Sequence, residues 1–168
     1  VFVLLAGLER STDVHRWDLH RPRLNQETNV KKVAIIVAHG SFNSLFQVAT
    51  LIRALTSSPD TSIRVFFRDE ALVKLTKDRI NELNFSDVYR RMEEEVLARL
   101  QAADFEDLHS FLRDSKQHGD DVQFFACASS MYMAGIKEVD LIPEIDSVRT
   151  LTSFILEEVS TADVVMTF

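Results

Sequence analysis

Cysteine is nearly absent from this chain: of 168 residues only Cys127 is one. A single thiol excludes an internal disulfide framework and any metal site built from clustered cysteines. It also leaves no partner within the chain to resolve redox or sulfur chemistry, so such chemistry at Cys127 needs a second molecule. Glycine is scarce too, with four residues in all, which leaves little material for a phosphate-cradling loop. No apolar run approaches the ~20 residues of a membrane-spanning helix; Val1–Leu8 (VFVLLAGL) is apolar but short. The chain begins at Val1 rather than Met, which fits a fragment and leaves open a signal or membrane segment ahead of it. Basic residues are outnumbered, 19 Lys and Arg against 26 Asp and Glu, for a formal net charge of −7. That balance argues against nucleic acid as the main partner, because phosphate binding needs a basic surface.

What is present reads as strands alternating with helices. Residues 1–30 form an arm or linker, polar and arginine-rich from Glu9 to Thr28, with Trp17 as a residue that docks against a neighbour. Residues 31–168 form one α/β domain. Val33–Ala38 (VAIIVA) has the continuous apolarity of a strand buried on both faces. Leu45, Val48, Ala49, Ile52 and Leu55 then repeat at helical spacing, and Ile63–Phe67 is a second strand. Asp69–Leu75 reads as a short helix and Thr76–Asn84 as a polar loop that can act as a flap. Ser86 is placed to cap one helix carrying Tyr89, Met92, Val96 and Leu100, and Asp104 to cap another that ends at His118–Gly119. Val122–Ala126 is a third strand. Ser147 or Thr150 starts a last helix, and Ala162–Phe168 closes as a buried strand. The expected architecture is a three-layer α/β fold, a mostly parallel five-stranded sheet with helices on both faces, flavodoxin-like in outline.

The organising stretch is Val122–Gly135, VQFFACASSMYMAG. It delivers Cys127 to the point where a helical pattern begins at Ala128–Ser129–Ser130. In open parallel sheets ligands and chemistry collect beyond the carboxyl ends of the strands. A thiol there, beside unpaired backbone N–H groups, is favoured as thiolate. The competing reading is an inert, buried cysteine that serves as a small hydrophobe.

The A-C strand end, followed by Ser130, Met131, Gly135 and Ile136, then Lys137–Glu138 and Asp140–Leu141–Ile142, resembles the DsrE/DsrF/DsrH-like family of sulfur-relay proteins, in particular its single-chain branch labelled peroxiredoxin-like. Arg64–Phe67 followed by Ala71–Lys74 is similar to that family's second strand and the segment after it. The resemblance implies that Cys127 carries sulfur as a persulfide, in a sulfur carrier or sulfurtransferase that passes it to a partner thiol. It implies sulfur-donor and sulfur-acceptor proteins as partners, a homo-oligomer (trimer or larger) with Cys127 near a subunit boundary, and a cytoplasmic location. Thiol–sulfur exchange needs no metal or organic cofactor. Two departures stand out: a charged, helical middle segment where relatives are rich in Gly and Met, and Asp146–Ser147 where they usually carry a glycine pair.

Other strand ends offer supporting groups. His39 is a candidate proton acceptor or ion-pair partner for Cys127, or else a histidine satisfied within its turn. Arg68 is a candidate to stabilise thiolate, or else forms a surface salt bridge with Asp69 or Glu70. Ser129 and Ser130 are candidate supports at the helix start. Ser41, Asn43 and Ser44 suit an anion, so a nucleotide- or flavin-binding domain built on the His39–Ser44 loop is the alternative function, and a non-catalytic oligomeric scaffold is another. The remaining histidines have no metal-ligand spacing, and no G-x-S-x-G motif is present. Met131, Tyr132 and Met133 are expected to pack as core beneath the Cys127 helix.

Overall fold

The computed structural model describes residues 32–168 apart from Pro59. Val1–Leu8, Trp17 and the arginine-rich arm therefore lie outside the described residues. Five strands, β1 (Lys32–Val37), β2 (Ser62–Phe67), β3 (Asp121–Cys127), β4 (Ser147–Arg149) and β5 (Val164–Thr167), form one sheet in the order β4-β3-β2-β1-β5. Every neighbouring pair is parallel. Among the described residues seven α-helices accompany them: α1 (Phe42–Thr56), α2 (Asp69–Lys74), α3 (Asp87–Arg90), α4 (Glu93–Ala102), α5 (Leu108–Gln117), α6 (Ala128–Ala134) and α7 (Leu151–Glu157).

Alternation along the strands divides the core in two. Val33, Ile35 and Val37 face a cluster with Leu45, Val48 and Ile52 of α1 and Leu108 and Leu112 of α5. Ala34, Phe66 and Phe125 face the other way, onto Leu72, Met131 and Phe154. A sheet buried on both faces explains why β1 reads as a continuous apolar run from Val33 rather than an alternating one, and why β3 does so from Phe124, after Gln123.

Several elements differ from their expected form. The fourth strand is Ser147–Arg149, not the opening of a helix, and Thr150 caps α7 by accepting the Ser153 amide. Asp104 does not cap α5. It takes a left-handed φ of 50°, and Asp107 accepts the Ser110 N–H instead, at 2.7 Å. The single helix expected after Ser86 is two, α3 and α4, interrupted at Arg91–Met92. Gly119 follows α5 without a positive φ; a side chain there would meet Thr56 Cγ2 at 2.4 Å, so it serves close packing rather than handedness. Asp146 explains why a glycine pair is not needed before β4. Its carboxylate accepts the Phe124 N–H and the Lys116 ammonium, each at 2.7 Å, and so seats the loop on β3 and α5.

Candidate functional site

Because β1, β2 and β3 are adjacent and parallel, their carboxyl ends open onto one edge. Cys127 is the last residue of β3 and the N-cap of α6. Its Sγ lies 3.1 Å from Ser129 Oγ. Only 2% of the residue is exposed, within the cluster that contains Leu72, Phe125, Met131 and Phe154. Burial is the largest single influence on the thiol and pushes its pKa up. Hydrogen bonds from the Ser129 and Ser130 hydroxyls and from both their amides act in the opposite direction and together prevail, leaving the pKa below the ordinary 9.0. The anion is thus favoured by local donors and not by a cation, although the one Ser130 hydroxyl proton is shared between Cys127 and Asp69 Oδ1.

His39 and Arg68 stand at the same sheet edge, but no hydrogen bond or ion pair joins either to Cys127. His39 is exposed. Arg68 Nε bonds Asp69 Oδ2 at 2.8 Å in a surface pair. Ser130 links the two strand ends: its Oγ accepts the Asp69 N–H at 2.9 Å and donates to Asp69 Oδ1 at 3.2 Å. Asp69 holds a left-handed φ of 49°, a conformation an L residue other than Asn or Asp rarely takes. The cross-chain bonds to Ser130 help to hold it there.

A groove of about 480 Å³ opens at this edge. It is lined by residues next to the expected ones: Gly40 after β1, Asp69, Glu70 and Lys74 of α2, and Ser130 of α6. Gly40 is required by proximity, since a Cβ there would meet the Glu70 carbonyl oxygen at 2.2 Å. The segment 76–84, expected as a flap, is a series of turns that contributes Arg79, Glu82 and Asn84 to the same groove. It is anchored: Asn84 Nδ2 donates to the Gly40 carbonyl at 3.0 Å and Lys77 Nζ to the Val139 carbonyl at 2.6 Å. Lys74, whose chemistry the sequence does not advertise, is 3% exposed, and its ammonium donates to the Glu82 carbonyl. Burial lowers its pKa to about 8, while the charge of Glu82 raises it and that of Arg79 lowers it.

The Met131–Tyr132–Met133 trio is not core throughout. Met131 is buried, but Tyr132 and Met133 are 90% and 86% exposed because the short α6 turns that face to solvent. Apart from the exposed His39, the polar side chains of the His39–Ser44 loop bond within the fold. Ser41 Oγ caps α1 and contacts Ser44 Oγ at 2.7 Å, and Asn43 Oδ1 accepts the Ser86 amide. Only Gly40 of this loop reaches the groove, which weighs against a phosphate cradle. Among the described residues no group of His, Cys, Asp or Glu is arranged to hold a metal, and no helix is long and apolar enough to cross a membrane.

The parallel sheet makes this an open α/β domain, a class in which ligands gather beyond the carboxyl ends of the strands, the edge at which Cys127 stands. The sequence profile of the DsrE/DsrF-like family matches residues 31–168, and the chain belongs to that family. The family is associated with sulfur relay. Two solved structures share the fold. The YchN protein from E. coli superposes with a TM-score of 0.55 at 19% identity, covering 82% of this chain and 99% of its own. MTH1491 from Methanobacterium thermoautotrophicum, a protein of unknown function, gives 0.56 at 14% identity, covering 80% and 97%. No curated protein matches by sequence.

Proposed function

We propose that this protein is a sulfur carrier of the sulfurtransferase type, with Cys127 as the residue that holds the cargo. The Cys127 thiolate attacks the outer sulfur of a donor persulfide R–S–SH. A new S–S bond forms to give Cys127–S–SH, and the donor's S–S bond breaks to release R–S⁻. An acceptor thiolate then attacks the terminal sulfur, takes it as its own persulfide and returns the Cys127 thiolate. No net oxidation occurs and no cofactor enters.

The observation that carries the reading is the position of Cys127 at the β3–α6 junction, where Ser129 and Ser130 supply hydroxyl and amide donors to its sulfur, in a chain of the DsrE/DsrF-like family. The donors lower the thiol's pKa and would equally serve a persulfide anion. Buried apolar neighbours limit loss of the sulfur to water and stray thiols. The same reading takes sulfur-donor and sulfur-acceptor proteins as partners and a cytoplasmic homo-oligomer, trimer or larger. Exposed Tyr132 and Met133 on the cysteine's own helix support contact with another protein there.

Near-complete burial of Cys127 favours a second reading, an oligomeric scaffold with an inert thiol. Mass spectrometry after incubation with a persulfide donor separates the two. The carrier gains the mass of one sulfur atom, reversibly by thiol, and Cys127→Ser gains nothing. An unchanged wild-type mass, with native protein refractory to thiol reagents, supports the scaffold.

A further inference from the structure

Many ionic groups of this surface are paired. Arg64 with Asp121, Arg68 with Asp69, Arg99 with Glu95, Lys116 with Asp146 and Arg149 with Glu157 and Glu158 all lie within ion-pair distance. The groove beside α6 gathers four charged side chains that are not. Glu70, Lys74, Arg79 and Glu82 all line it, yet among the described residues none of the four makes an ion pair. Lys74 is the extreme case. An ammonium has three N–H donors, and among the described residues the only acceptor that Lys74 meets is the Glu82 backbone carbonyl. The Glu82 carboxylate acts on this cation through space without closing an ion pair, and a buried cation so weakly compensated is costly and is retained where a site requires it. Burial also brings its pKa to about 8, so it is still mostly protonated at neutral pH.

Two cations and two carboxylates around one cavity, none of them closed into an ion pair among the described residues, match neither a simple anion nor a simple cation. They match a ligand that carries both charges. We propose that the groove binds the zwitterionic end of a small amino-acid-type thiol or persulfide, with its carboxylate held by Lys74 and Arg79 and its ammonium by Glu70 and Glu82. A volume of about 480 Å³ accommodates a molecule of that class. Ser130 forms part of the wall and also donates to Cys127, so the sulfur end of the ligand points along α6 toward the thiol. That the ligand carries sulfur rests on the carrier reading above. That it is zwitterionic rests on the groove alone.

Calorimetry on the Cys127→Ser protein, which cannot exchange sulfur, tests the groove by itself. S-methyl-L-cysteine should bind at one site per chain. Methylthiopropionate, which lacks the amine, and methylthioethylamine, which lacks the carboxylate, should each bind about tenfold or more weakly, because each leaves one pair of groove charges unmatched. Lys74→Met should weaken S-methyl-L-cysteine by a similar factor, with circular dichroism to verify the fold. Glu82→Gln, at an exposed side chain whose backbone carbonyl stays in place, should weaken it through the ammonium end. No heat from S-methyl-L-cysteine at millimolar concentration, or equal binding of all three probes, overturns the proposal. Binding without any sulfur loading of the wild type removes the carrier reading and leaves the groove. Loading from a protein persulfide without S-methyl-L-cysteine binding does the reverse.

Discussion

Replacing Lys74 by Met removes a charge from a place where burial has lowered the ammonium's pKa from 10.5 to about 8. Methionine keeps most of the side-chain volume and all of its apolar contact. In the wild type the folded pKa lies below the unfolded one. Between pH 8 and 10.5 the unfolded chain therefore holds a proton that the folded protein has released, and stability increases as pH rises through that window. Below about pH 8 the full penalty of burying the charge is present. At 1.36 kcal/mol per pKa unit the drop corresponds to about 3 kcal/mol. The hydrogen bond to the Glu82 carbonyl is lost in the variant at every pH, so it offsets the curve without tilting it. Urea titrations of both proteins, followed by far-UV circular dichroism from about pH 7 to pH 10.5, read the effect directly. The stability of Lys74→Met relative to wild type should fall by about 3 kcal/mol across the range. A difference independent of pH would refute the assignment of Lys74 as a charge held against its burial, and with it the reason for seeking an anionic partner in the groove.

Three further perturbations follow from the same packing. Asp146→Ala leaves the Lys116 ammonium and the Phe124 amide without their shared acceptor; urea unfolding should show a loss of about 2 kcal/mol, with Asp146→Asn losing less. Gly40→Ala forces a methyl group against the Glu70 carbonyl and pushes α2 from the β1–α1 loop. The expected cost is about 1–3 kcal/mol in thermal unfolding, with slower sulfur loading because the groove is distorted. Ser129→Ala removes a hydroxyl donor to Cys127 and should raise its pKa, read as an upward shift in the pH dependence of alkylation.

The fold was legible where burial imposes a simple pattern. Val33–Ala38 and Val122–Ala126 lie in the sheet interior, and apolarity on both faces marks them without help from neighbours. The apolar spacing of α1 did the same for a long helix with one buried side. β4 was not legible, because a three-residue edge strand of Ser, Val and Arg has no period to read; it exists through its pairing with Phe125–Cys127. Asp104 and Asp107 look alike as caps, three residues apart ahead of one apolar pattern, and only the turn geometry after α4 decides between them. At the site, Cys127 and its two serines were visible because strand and helix patterns meet there. Asp69 and Lys74 were not. Their roles come from contacts over distance, Asp69 with Ser130 across 61 residues and Lys74 with a carbonyl of the turn segment folded over it. A lysine at the end of a short helix otherwise reads as solvated surface.

The most direct test of the account is the rate of Cys127 alkylation in the native protein as a function of pH. Local donors outweigh burial at this thiol, so the folded protein should be labelled with a midpoint below that of an unperturbed cysteine in a short peptide under the same conditions. A midpoint at or above the peptide's, or a thiol that reacts only after unfolding, would contradict the assignment.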